Sequence, residues 1–145
     1  MARRSAATWV LLALLLVFVV GTVVYWVLYF FVGGVQSSTA VWYVRFENAF
    51  PVADAWATLA CLLAAVTVLR GDTLRTPFFL GAGGAAVLYL ACMDITFDLE
   101  NHIYSGLANN GGVQIELVIN IFCVVTALFA LGYGLNLLRA RSGSG

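Results

Sequence analysis

The sequence predicts an all-α membrane protein: one domain formed by a bundle of four transmembrane helices, with both termini cytoplasmic. Three observations predict it: a composition too apolar for solution, four long apolar runs, and an uneven placement of arginine. Of 145 residues, 63% are hydrophobic and 10% are charged, whereas a soluble domain carries about 25% charged residues. The polar surface is too small to keep such a chain in water, so lipid is its expected solvent.

The apolar runs cover residues 8–32, 51–69, 77–97 and 113–138. Each approaches or exceeds the roughly 20 residues that a helix needs to cross a bilayer core. None alternates with the period of two that barrel strands require. Backbone groups in lipid must pair internally, which a helix achieves by itself. The first run follows Arg3 and Arg4 as a signal peptide would, but it is too long for one, and a retained anchor is expected.

Orientation follows from arginine. Arg3 and Arg4 precede the first run, Arg70 and Arg75 lie between the second and third, and Arg139 and Arg141 follow the fourth. Six arginines therefore share one side, expected to be cytoplasmic, and only Arg45 lies opposite. The expected location is a plasma or inner membrane. Two outer loops result, 33–50 and 98–112, while 142–145 reads as a flexible tail. Trp42, Tyr43 and Phe46 make the first loop interfacial, lying on the headgroups or folding over the bundle. Pro51 and Pro77 sit at helix starts, where a missing N–H costs least. Small residues at 81–86, with Gly132 and Gly134 as partners, predict close helix packing.

Several functions are excluded. No basic patch suggests nucleic acid. Cys61, Cys92 and Cys123 form no C-x-x-C pair, which argues against disulfide exchange. A phosphate loop needs a lysine, and the chain has none.

The acids are informative. Six of seven carboxylates fall toward the outer side: Glu47, Asp54, Asp94, Asp98, Glu100 and Glu116. Asp54, Asp94 and Glu116 each lie about one helical turn inside a run, at similar depth. A charge there costs up to roughly 3 kcal/mol on insertion scales, unless it faces other helices or water. Helical spacing puts Asp94 with Asp98, Asp54 with Thr58, and Glu116 with Asn120 on shared faces. The first run adds Tyr25 and Tyr29. The expected pocket opens outward and is lined by Tyr25, Tyr29, Asp54, Thr58, Asp94, Asp98, Glu116 and Asn120. Glu47, Glu100, Asn101 and His102 are expected at its rim. Such acids repel one another, so the cluster calls for shared protons or a cation, with Arg45 offsetting Glu47. The competing expectation is that Asp54 and Glu116 merely favour helix N-termini. Asp94 lies near a C-terminus and escapes that explanation.

The segment with Asp94, Asp98, Glu100 and His102 also suggests a hard divalent cation as cofactor. Three functions fit this pattern. One is capture of a cation or an amine-bearing small molecule, as a transporter or its subunit, either as a homo-oligomer or with a partner membrane subunit. Another is a membrane enzyme on a lipid or sterol-type substrate, with Asp54, Asp94 and Glu116 as acid and base. The third is a structural accessory subunit.

One resemblance bears on the enzyme. The stretch 54–69, then Arg70-Gly71, Arg75-Thr76-Pro77 and the following run, is similar in layout to the middle of the EXPERA group, which includes sterol isomerases and the sigma-2 receptor. The resemblance covers about half the chain and implies a four-helix fold with membrane-embedded acids. That group also uses an acid in its first span, and this chain has none there.

Overall fold

The computed structural model describes residues 4–33 and 35–143. Arg3, counted above in the charge bias, and the last two residues of the tail lie outside them. The described chain is 83% helix with no strands. Helix α1 spans Ala6–Val27 and continues into a π turn, Leu28–Val32. A short α2, Val41–Glu47, precedes α3, Pro51–Arg70. Helix α4 covers Thr76–Glu100, a 3-10 turn covers Ile103–Gly106, and α5 covers Gly111–Ser142. Four segments are long and apolar enough to cross a membrane, with mean hydropathies of 2.8, 2.0, 1.7 and 2.3. Ser142 is the last residue of α5, with Gly143 as its cap, so the expected tail begins as helix.

The ends of the helices are chemically marked. Ser5 caps α1 by accepting from the Thr8 amide, and Asn110 caps α5 by accepting from Gly112 at 2.9 Å. Pro51 and Pro77 occupy the first turns of α3 and α4. Gly71 closes α3 at φ 67°, a left-handed position that suits a residue without a Cβ. The Arg4 guanidinium donates to the Leu69 carbonyl at 2.7 Å, placing a cation at the negative end of the α3 dipole. Arg4, Arg70, Arg75, Arg139 and Arg141 gather at this basic end of the bundle. The acids other than Asp72 collect at the other.

The core is made from α1, α3, α4 and α5: Leu11, Leu15, Ala57, Ala64, Leu80, Val87 and Ala127 are buried together. Packing runs in chain order, α1 on α3, α3 on α4 and α4 on α5, while α1 touches α5 least. Helix α4 packs closely on both neighbours because two adjacent glycines, about 100° apart on the helix, face different partners. A Cβ on Gly83 would lie 3.0 Å from the Cys61 sulfur and 3.2 Å from its backbone nitrogen on α3. One on Gly84 would lie 3.2 Å from the Ala127 carbonyl on α5. Of the two glycines expected to pack from α5, Gly134 meets Leu80 and Pro77, whereas Gly132 has nothing within 4 Å. Two positions apart on a helix, they point about 200° from one another and cannot share a partner.

Gly83→Leu drives a side chain into the α3 backbone and costs about 1–3 kcal/mol by overpacking. Gly81→Leu, at a position with open space, leaves stability unchanged. Thermal melts of both variants check this, and equal melting temperatures would contradict the packing described.

Candidate functional site

Five helices supply polar groups to the acidic end. Asp54 lies in the first turn of α3, Asp94 and Asp98 on α4, and Glu116 and Asn120 on α5. Helix α2 folds over the bundle and lowers Tyr43 and Glu47 among them, at 1% and 6% exposure. Side chains anchor this short helix over the site. Phe46 stacks on Phe97 of α4 with ring centroids 3.5 Å apart. Tyr25 on α1 donates to Glu47 Oε2 at 3.0 Å, and Tyr43 donates to Glu116 Oε1 at 3.2 Å. Tyr43 and Glu47 are four residues apart, so one face of α2 carries both.

One oxygen each from Glu47, Asp94 and Glu116 lie within 4.8 Å of one another. Glu47, expected at the rim, is therefore a central residue. Arg45 does not offset it. Two residues away on α2, Arg45 points to the opposite side and is exposed. The one ion pair among the described residues is Arg75 with Asp72, at the basic end.

Asp98 is fully buried behind Glu116. The two carboxyl groups are close neighbours. Asn120 donates to Asp98 Oδ2 at 3.4 Å and to the Tyr104 hydroxyl at 3.1 Å. Tyr104, in the 3-10 turn outside the long helices, in turn reaches Asp98. Burial pushes the Tyr104 hydroxyl above the ordinary tyrosine range, so it stays a protonated donor. Two buried carboxylate oxygens, Asp98 Oδ1 and Glu116 Oε2, have no hydrogen-bond partner.

A cavity of about 510 Å³ adjoins these groups. Glu47, Asp54, Asp94 and Glu116 form its polar end, with Tyr25, Trp26 and Asn120 beside them. The rest is apolar, drawn from Phe18, Val87, Leu90, Ile119 and Phe122 among others. Among the described residues, no basic side chain lines it. Val17 and Val24 on α1, with Ile115 and Val118 on α5, border it and are all at least 43% exposed. The cavity thus opens sideways where α1 and α5 barely meet.

The other sequence-predicted residues fall outside this lining. Tyr29, turned by the π segment, donates to Asn48 at 3.3 Å. Thr58 buries an unpartnered hydroxyl next to the cavity wall without lining it. Glu100 and His102 are exposed, apart from the acid trio. Glu100 is six residues beyond Asp94, about 240° round the helix, and His102 sits past its end at φ 56°. Neither Asp54 nor Glu116 supplies a capping hydrogen bond: Asn110 caps α5, and Asp54, in the first turn of α3 where the dipole favours its charge, accepts from the Trp26 indole at 2.9 Å. Trp26, Tyr43 and Tyr104 were not foreseen as part of the site. The signal for Trp26 was its place next to Tyr25, and for Tyr43 its helical spacing from Glu47.

No protein-family model, curated protein or solved structure matches the chain.

Proposed function

We propose that this chain is an integral membrane protein whose acidic cavity, open toward the outer side, binds a positively charged small molecule. The reading rests on one observation: carboxylates from four helices converge on a mostly apolar cavity that has no basic side chain in its lining. An amine-bearing molecule with an apolar body suits both ends of that space. The amine meets Asp54, Asp94 and the glutamates, and the body displaces water from the apolar wall. Four apolar helices support membrane insertion. The arginine bias supports cytoplasmic termini, which places the acids on the outer side. The sideways opening then faces lipid, a route for ligands that partition into the bilayer.

Below the acids, the buried core is mostly apolar, with scattered threonines such as Thr67 and Thr126 and, among the described residues, no buried charge. That favours capture of a ligand over its conduction by a lone chain. A transport role calls for a second copy or a partner subunit.

The test uses the full chain in lipid nanodiscs with chelator present, melted with 1-adamantylamine or with 1-adamantanol, which has the same shape. A ligand at about 100 times its dissociation constant stabilises by about 2.7 kcal/mol. The amine is expected to raise the melting temperature saturably and the alcohol is not. Equal responses to both would defeat the reading.

A second reading is favoured by Asp54, Asp94 and Glu116 lining one cavity. Two acids in unlike settings serve as general acid and base on a lipid-type substrate. It expects Glu116→Gln to stop conversion of some component of a total lipid extract, read by mass spectrometry.

A further inference from the structure

We propose that Glu47, Asp94 and Glu116 hold one divalent cation of calcium's size. This goes beyond the ligand-binding reading and stands apart from it. The three acids come from α2, α4 and α5, so the ion would tie the short covering helix to the bundle.

The first observation is geometric. Three carboxylate oxygens within 4.8 Å of one another define a triangle. With no side longer than 4.8 Å, the centre of such a triangle lies at most about 2.8 Å from each corner, a reach that includes the roughly 2.3–2.6 Å of calcium–oxygen bonds. Magnesium demands about 2.1 Å in a strict octahedron, a rigidity that donors from three separate helices suit less well. The donors are hard oxygens, and among the described residues no histidine or cysteine joins the cluster, which disfavours zinc.

The second observation is independent of the triangle. Glu116 is 8% exposed, and its Oε2 has no hydrogen-bond partner. Behind it, Asp98 is fully buried, with Oδ1 also unpartnered. A buried carboxylate oxygen without a donor is costly, and native proteins rarely leave one so. The tyrosines each satisfy one oxygen, Tyr25 on Glu47 and Tyr43 on Glu116, and leave the Glu116 Oε2 atom to another partner. No arginine approaches among the described residues, so the positive charge comes from shared protons or from a cation in solution, and the triangle of oxygens fits the cation. One divalent ion does not exhaust the negative charge of these four acids and Asp54. A cationic ligand is still accommodated.

The experiment uses chelator-stripped full-length protein in nanodiscs, titrated with calcium in a calorimeter and in parallel with terbium. Terbium replaces calcium and is sensitised by nearby tyrosine and tryptophan. One calcium per chain is expected, with terbium luminescence that calcium quenches by competition. Glu47→Gln is expected to weaken calcium at least 10-fold, whereas Glu100→Gln, on the exposed side of α4, leaves it unchanged. Absence of saturable calcium binding and of calcium-competed luminescence in the wild type overturns the proposal, whatever the variants do. So does calcium binding that Glu47→Gln leaves intact. The amine test above is run with chelator. Calcium binding without an amine response would remove the ligand reading alone, and the reverse would remove the metal site alone.

Discussion

Asp94→Asn is expected to abolish amine-induced stabilisation while the protein melts no lower than the wild type. Asp94 belongs to the trio with Glu47 and Glu116 and lines the cavity. Two like charges about 4.8 Å apart repel by about 3 kcal/mol at an effective dielectric near 20. Asparagine keeps the shape of aspartate and a hydrogen-bonding oxygen for the Asn120 amide that lies beside it. It removes one charge from a place where two others oppose it. The helix dipole also disfavours a negative group toward the C-terminal end of α4. Folding therefore gains or stays level. Binding loses a charge-assisted contact worth about 2–3 kcal/mol, a weakening of about 30- to 150-fold. Thermal melts with and without 1-adamantylamine separate the two effects. A variant that melts much lower, or responds to amine as the wild type does, would contradict this role for Asp94.

Asn120→Leu is expected to cost stability heavily. Asn120 is 3% exposed and is the donor common to Asp98 and Tyr104. Leucine is close in volume, so packing is largely kept and the polar loss dominates. Asp98 is fully buried and already has one oxygen without a partner. Losing a donor to such a group costs about 3 kcal/mol, because charged groups exceed the range for neutral ones. For a chain of this length that lowers the melting temperature by about 10 °C. Asn101→Leu is the control. Asn101 is exposed and bonds only the Phe97 carbonyl one turn back on α4. It is expected to shift the melting temperature by less than about 2 °C, as surface changes do. Equal shifts in the two variants would show that Asn120 is not the hub described.

The four long helices are legible in hydropathy because lipid-length apolar runs leave few alternatives. Asp54, Asp94 and Glu116 are legible as a set because helical rise converts sequence position into depth. Asp98 and Asn120 follow from spacing, each four residues from a neighbour on the same face. Glu47 is not legible as a central residue. It sits in an aromatic loop with no long period, and seven residues make α2 too short to mark itself. Its position depends on Phe46 meeting Phe97 and on Tyr25 reaching across from α1, which are contacts between distant parts of the chain. Glu100 and His102 mislead for the opposite reason. They crowd near Asp98 in sequence, but the turn of the helix and its left-handed end carry them outward. Gly83 and Gly84 are legible as small, yet not as a pair facing two different helices.

The claim on which the account depends is that acids from separate helices meet at one place. It is tested most directly by joining α2 to α5. In a chain with Cys61, Cys92 and Cys123 replaced by alanine, Glu47→Cys and Glu116→Cys are combined in the full protein in nanodiscs. The sample is then treated with a bis-methanethiosulfonate cross-linker long enough to replace the shortened side chains, and weighed by mass spectrometry. An intramolecular cross-link is expected, because the two glutamates end within 4.8 Å of one another and thiols on the shorter cysteines lie within the linker's reach. None is expected when Glu47→Cys is paired instead with Leu74→Cys, exposed in the turn at the basic end. Two thiols that alkylate separately in the Glu47 and Glu116 pair would contradict the convergence.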